Sequence, residues 1–473
     1  MNAIVNFLER YIVPVAARIG SQRHLMAIRD AFIAMMPITM AGAFAVFLNA
    51  LFRDMPRHFF GHENVITDFW PIEQLIGING AVWNGTLAII ALCLAVTLGY
   101  TLAESKGNSG VAGSLIALAA YTFGVPAAAA TTTNIALQTA LPASVAAELA
   151  AHGSVTVAAD GLSLVVTGGA WGFFEFSQFF NPQGIFAVMV TTLISVGVFN
   201  FMMGKNITIK MSDSVPPMVS RAFSSLIPAI TSLFCMALLF HAWGQFMDGE
   251  PFTLWIMRII GDPLLNLSQG YLAVFVMILM VHVLWFFGLH GTNILAPVFQ
   301  SVYGVAQTFN MEAYEMGYRG ADLPFRWTAS SFEAFVWPGG AGASLVMVVA
   351  ILVFAKRSDY RAVGKLGVGP AIFNINEPLM FGLPVVLNPL MFIPFILAPL
   401  ATGTIAFWVT HFELVNPMAV SIPWVMPTIL SGLIGSAFDF RTIILSVVNL
   451  AVAFVIWAPF VIAANRMEGS DAA

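Results

Sequence analysis

Runs of about twenty apolar residues dominate this chain, and a helix needs about that many to cross the hydrocarbon of a bilayer. Nine such runs are clear: Ala31–Phe52, Ala81–Ala103, Ser109–Ala130, Gly184–Gly204, Ala222–Trp243, Tyr271–His290, Ala334–Ala355, Leu387–Thr410 and Phe440–Ala463. Little is left to cover a soluble body, because 59% of the 473 residues are hydrophobic and only 9% are charged. Ordinary soluble domains carry roughly 25% charged residues. Soluble globular and disordered chains are therefore excluded. A net charge of −5 with no long basic run also argues against nucleic-acid binding. The expected class is an all-α polytopic membrane protein lying in a lipid bilayer.

Basic residues orient the crossings. Arg10, Arg18, Arg23 and Arg29 precede the first span and place the N-terminus inside. Thr131–Gln183 has no Lys or Arg and reads as external. Lys205, Lys210 and Arg221, and the cluster Lys356, Arg357, Arg361 and Lys365, read as internal. Arg53 and Arg57 run against this scheme. Parity then requires an odd number of crossings between Gln245 and Lys356. Gly291–Asn310, apolar but broken by Gly291, Pro297 and Gly304, supplies the missing one. The expectation is ten spans, with both termini cytoplasmic.

Around the spans, Asn2–Ile19 has helical apolar spacing and reads as an interfacial helix, not a cleavable signal peptide. Ser154–Val157 and Leu162–Val166 alternate polar and apolar about Asp160-Gly161, which predicts a small external β-hairpin. Phe252–Ile260, between Pro251 and Pro263, is amphipathic and is expected to lie along the membrane. The chain divides into a five-span half over 1–244, a linker over 245–270 and a second half over 271–473. Cys93 and Cys235 lie in apolar runs without redox or metal spacing. No Walker A pattern occurs, so ATP hydrolysis within the chain is not expected, nor is a cofactor or a metal.

Ionisable groups at membrane depth are costly and read as functional. Asn374-Ile375-Asn376-Glu377-Pro378, followed by Pro384 and Asn388-Pro389, fixes a carboxylate on backbone too rich in proline for a regular helix. Such a segment looks like a re-entrant tip facing a cavity. The plainer reading is an interfacial turn with Glu377 in water. His290 ends a long apolar run between Gly288 and Gly291, with Thr292 and Asn293 next to it. It can bond a hydroxyl, carry a proton or cap a helix, though a lone apolar-run histidine is more often a packed core group. His282 reads as packing. Trp424 lies between Pro423 and Pro427 and suits the apolar face of a sugar, unless it is an interfacial belt residue. One Glu, one His, several Asn and one Trp on broken backbone fit a neutral polyhydroxylated ligand better than an ion.

At these residues the sequence resembles the membrane permease, enzyme IIC, of the phosphoenolpyruvate-dependent sugar phosphotransferase system, in its lactose/cellobiose/diacetylchitobiose branch. The resemblance rests on Asn376-Glu377-Pro378 with Phe381-Gly382-x-Pro384 and Asn388-Pro389, and on Trp285-Phe286-Phe287-Gly288-Leu289-His290-Gly291. Ser212-Asp213-Ser214-Val215-Pro216-Pro217, Ser220-Arg221-Ala222-Phe223 and Pro423-Trp424 extend it, and Leu25–Asn49 looks most like diacetylchitobiose members. Thr292 departs from the more apolar residue expected after Gly291.

The resemblance implies a homodimer in the bacterial inner membrane, with dimer contacts in the first half. The second half would hold two re-entrant hairpins and a β-linked disaccharide. Glu377 and His290 would hold its 6-hydroxyl as the catalytic pair, with Asn376, Asn374, Asn293 and Trp424 in the substrate site. A soluble IIB protein would phosphorylate that hydroxyl from its phosphocysteine, itself charged by IIA. The phosphoryl carriers would thus lie on other chains. The alternative is a proton-coupled sugar symporter with Glu377 as proton carrier.

Overall fold

The computed structural model describes residues 22–54, 56, 69–126, 128–136, 141–150, 155–157, 163–171, 179–212, 215–247, 250–383, 385 and 388–471. The expected helix Asn2–Ile19 and the Asp160-Gly161 turn lie outside these residues.

In the first half, α1 (Arg23–Asn49) starts where the Gln22 side chain accepts from the Leu25 N–H at 2.6 Å, and ends in a π-helical turn over Ala50–Asp54. α2 (Trp70–Asn84) and α3 (Ile90–Glu104) follow, separated by Gly85 and a short 3₁₀ turn. α4 (Gly110–Thr122) is shorter than the predicted run Ser109–Ala130. Pro126 lacks an N–H and disfavours helical backbone at the residue before it, so the chain leaves the helix there.

The chain then enters a small antiparallel sheet in the order β1-β3-β2, with β1 over Ala128–Ala136, β2 over Val155–Val157 and β3 over Ser163–Trp171. β2 and β3 are the two strands expected from alternation, paired Val155 with Val166 and Val157 with Leu164. The alanine-rich β1 carries little alternation and was not foreseen. α5 (Ala143–Ala150) lies in the same insertion, and α6 (Ile185–Gly204) and α7 (Pro217–Phe246) complete the half.

α8 (Phe252–Ile256), a π-helical turn and α9 (Asp262–Ser268) form the amphipathic segment, bent by 77° from α10 (Tyr271–Phe286). α11 (Gly291–Phe299) continues through a π-helical turn at Gln300–Gly304 into α12 (Val305–Glu315). The remaining elements are α13 (Ala329–Phe335), α14 (Ser344–Phe354), α15 (Ser358–Ile372), α16 (Glu377–Gly382), α17 (Pro389–His411), α18 (Thr428–Gly435) and α19 (Arg441–Asp471).

Six described helical stretches are long and apolar enough to cross a membrane, or seven if the bent pair ending in α10 counts as one span. The runs around α4 and α14 are apolar but shorter than a span, and α11 to α12 is a broken path.

Two apolar cores form. The first gathers α1, α3, α4 and α6 around Leu94, Leu98, Tyr121, Phe186 and Phe199. The second gathers α10, α13, α14, α17 and α19 around Phe286, Trp327, Phe332, Phe395 and Trp457. The boundary is not a simple cut in the chain, because Val305, Met311 and Tyr314 of α12 and the pair Ala419 and Val420 belong to the first core. Polar ties reinforce this crossing: Asn181 donates to Glu312 at 2.9 Å, and Glu315 accepts from Asn49 at 3.3 Å and pairs with Arg53 at 3.5 Å. Lipid tails are as apolar as the side chains, so such packing and hydrogen bonds carry the association of helices.

Candidate functional site

α10 ends at Phe286, and Gly288 at φ 76° turns the chain back on itself. The return is tight: a Cβ on Gly291 would lie 2.1 Å from the Val281 carbonyl oxygen, so only glycine fits. This turn presents His290 as the N-cap of α11. Its Nδ1 accepts from the Asn293 backbone N–H at 3.3 Å and lies 3.0 Å from the Thr292 hydroxyl. A backbone N–H can only donate, so Nδ1 serves as the acceptor here and Nε2 is left as the ring N–H donor. The Trp285 ring packs on the imidazole with centroids 4.3 Å apart. Its indole N–H is buried and has no partner among the described residues. Asn293 exposes its side chain one turn from the imidazole.

Glu377 arrives from the other end of the half. It is the first residue of α16, a helix of six residues, with Pro378 in the first turn where a missing N–H costs nothing. The expectation of irregular backbone here holds on both sides of α16 but not within it. Glu377 is exposed, and its charge reaches the His290 imidazole. The two residues, far apart in sequence, are coupled through that charge, and no direct hydrogen bond or ion pair joins them among the described residues.

The asparagines before Glu377 are arranged differently. Asn374 and Asn376 are buried. The Asn376 amide donates to the Ala341 carbonyl at 3.3 Å, and the Asn374 amide is wholly engaged with backbone groups. Their partners lie on two other interrupted segments: the glycine-rich link 336–343 between α13 and α14, and the loop before α18 that carries Trp424. Trp424 is 48% exposed. His282, by contrast, is fully buried, with Nδ1 2.7 Å from the Ile278 carbonyl, as the packing reading expects.

A family model described as Phosphotransferase system, EIIC, matches residues 29–399. The chain belongs to that family. An EIIC component is the sugar permease of such a system and works with IIB and IIA proteins, and the apolar helices described above make this EIIC chain a multi-pass membrane protein. Over its full length and that of the relative, it is 38% identical to the cellobiose-specific EIIC component of Lactococcus lactis subsp. lactis. The lichenan permease IIC component of Bacillus subtilis is 30% identical over 97% of this chain and 93% of the relative. Among solved structures, the transporter ChbC, the IIC component from the N,N'-diacetylchitobiose-specific system, superposes with a TM-score of 0.83 at 27% identity, covering 98% of this chain and 99% of that one.

One further carboxylate of this EIIC chain escaped the sequence reading. Glu333 on α13 accepts the Trp337 indole N–H at 2.7 Å, beside the glycine-rich link that holds Asn374. The signal was present, an acidic residue immediately before the apolar run Ala334–Ala355.

Proposed function

We propose that this EIIC chain takes up a β-linked disaccharide of the cellobiose or diacetylchitobiose type and presents its C6 hydroxyl for phosphorylation during uptake. The observation that supports the reading is that the Glu377 charge acts on the His290 ring, whose Nδ1 is engaged by the Asn293 N–H so that Nε2 is left for a ligand. A hydroxyl between them accepts from the imidazole N–H and donates to the carboxylate, so both of its polar functions are satisfied. In this reading the exposed Asn293 serves the remaining hydroxyls and the exposed Trp424 indole serves the apolar ring face. The names of the relatives, cellobiose, lichenan and diacetylchitobiose permeases, support a β-linked sugar.

In the chemical step the O6–H bond breaks and its proton passes to Glu377, the general-base role. A phosphorus–oxygen bond forms at O6 while the phosphorus–sulfur bond of a phosphocysteine on the partner IIB protein breaks and leaves a thiolate. Positioning of the hydroxyl is the main contribution of this chain.

The reading includes ten crossings, with the paths through α4, α11–α12 and α13–α14 counted as spans, and both termini on the cytoplasmic side of a bacterial inner membrane. It also includes a homodimer built on the first half. The second-half core moves as a body against that scaffold, and phosphorylation traps the sugar inside. α12, tied to the first core through Glu312 and Glu315, supports a hinge near the π-helical turn at Gln300–Gly304.

The deciding experiment supplies proteoliposomes with radiolabelled disaccharide, with and without phosphoenolpyruvate and the soluble carriers, and identifies the product inside. Sugar phosphate dependent on the carriers is expected. Unmodified sugar accumulating on a pH gradient alone would sink the proposal.

A further inference from the structure

The cluster around Asn374 carries an inference that rests on the proposed sugar site. We infer that Asn374 is a positioning residue, not a sugar ligand, and that it sets the orientation of Trp424 by binding the backbone of two interrupted segments at once.

The side-chain inventory leaves little choice. An asparagine amide has two N–H donors and one carbonyl acceptor. The Asn374 nitrogen donates to the Trp424 carbonyl at 2.6 Å and to the Met426 carbonyl at 3.0 Å, and its oxygen accepts from the Gly339 N–H at 2.8 Å. Both donors are spent, and the residue is only 6% exposed. A sugar hydroxyl would have to displace a bond that the protein already makes.

Why this residue is asparagine follows from the backbone. Asn374 sits at φ 60°, in the left-handed region that Gly, Asn and Asp tolerate and other residues avoid. Glycine would allow that conformation but bring no amide, and aspartate would bring no donors. Irregular backbone at membrane depth must find its hydrogen bonds within the protein. Here one side chain provides them for the loop before α18 and the link before α14, while its own backbone leads into α16.

The consequence reaches Trp424 through a short lever. The Met426 N–H bonds the Pro423 carbonyl at 3.0 Å, closing a turn over 423–426. Asn374 holds two carbonyls of that turn, so moving the amide rotates the turn and swings the indole. The side of the turn facing α18 is held separately, by Ser431 Oγ donating to the Met426 and Pro427 carbonyls at 2.9 and 3.0 Å. Two anchors thus fix the backbone of the turn from which the indole projects.

The test is a double-mutant cycle on the full-length protein in proteoliposomes, with cellobiose, phosphoenolpyruvate and the soluble carriers. Asn374→Asp keeps the shape, the left-handed tolerance and the acceptor for Gly339, but aims oxygens at two carbonyls. It is expected to raise the sugar KM about tenfold while kcat at saturating sugar stays within about threefold, the pattern of lost uniform binding. Asn374→Gly, which keeps the backbone conformation, should show the same split. In a Trp424→Ala background either substitution should add little, because the indole it orients is gone. Additive effects in that background, an unchanged KM, or failure of both variants to fold would overturn the inference. Failure of the wild-type protein to form sugar phosphate would instead overturn the proposed function on which it rests.

Discussion

Trp457 of α19 donates its indole N–H to the carbonyl of Gly342 at 2.8 Å, joining the last helix to the link between α13 and α14. The indole is fully buried, and Gly342 sits at φ 77° with the space for a Cβ filled by the Phe395 ring at 2.1 Å. The same link contacts Asn374 and Asn376 through Gly339 and Ala341. One hydrogen bond to α19 therefore steadies the backbone on which the site asparagines rest. Trp457→Phe keeps most of the ring volume and orphans the Gly342 carbonyl. The expected cost is roughly 1–2 kcal/mol, read as a lower melting temperature in detergent together with weaker sugar binding.

Glu377→Gln preserves size and removes the charge and the proposed base. Sugar phosphorylation is expected to fall by roughly a hundredfold or more, the scale of general-base catalysis, with binding weakened as well. The assay is carrier-dependent formation of labelled sugar phosphate. Turnover at the wild-type rate would show that Glu377 neither holds nor deprotonates the hydroxyl.

Gly291→Ala should be far more damaging than an added methyl group normally is. The new Cβ, whose position the backbone fixes, would meet the Val281 backbone carbonyl oxygen at 2.1 Å, and neither can step aside cheaply. The turn carrying His290 must open, so expression and melting temperature should both drop. Equal stability with intact sugar binding would mean that α10 and α11 are not packed as described.

Asp439 offers a pH-dependent test outside the spans. Burial alone would raise its pKa, but hydrogen bonds from the Arg441 side chain and from the Asn416 and Arg441 backbone N–H groups outweigh burial and hold it below the usual 3.8. A carboxyl depressed on folding contributes stability that is complete above its unfolded value and is lost as pH falls through the folded one. These bonds tie the start of the segment bearing Trp424 to the start of α19. The melting temperature of Asp439→Asn should lie below wild type at neutral pH, and the gap should close below about pH 4. A gap unchanged at acid pH would assign the effect to shape alone.

Asn181→Ala removes the donor that holds Glu312 of α12 to the first half. A lower melting temperature is expected with the sugar KM nearly unchanged, since α12 belongs to the first core and the site to the second. A large rise in KM would place α12 with the sugar-binding body.

Much of the architecture was open to reading because it is written locally. Apolar runs announced α1, α3, α6, α7, α10, α17 and α19, and alternation about Asp160-Gly161 announced the paired strands β2 and β3. Glycine and proline marked the breaks before α11 and around α16. Where local signals competed, the reading drifted. The run Ser109–Ala130 counted Ala128–Ala130 as helix although Pro126 had already ended it, and those alanines open β1.

By itself, then, the sequence determined the membrane class, the positions of the apolar helices and the few polar residues worth suspecting, because hydropathy and backbone permissiveness belong to each residue and its near neighbours. Only the tertiary structure decided what those residues touch. It let the Glu377 charge act on His290, turned both Asn374 donors onto the backbone near Trp424, and returned α12 to the first core. The physical reason is that a hydrogen bond is settled by which acceptor lies within about 3 Å. In a chain of broken spans, that acceptor is supplied by segments far away in sequence.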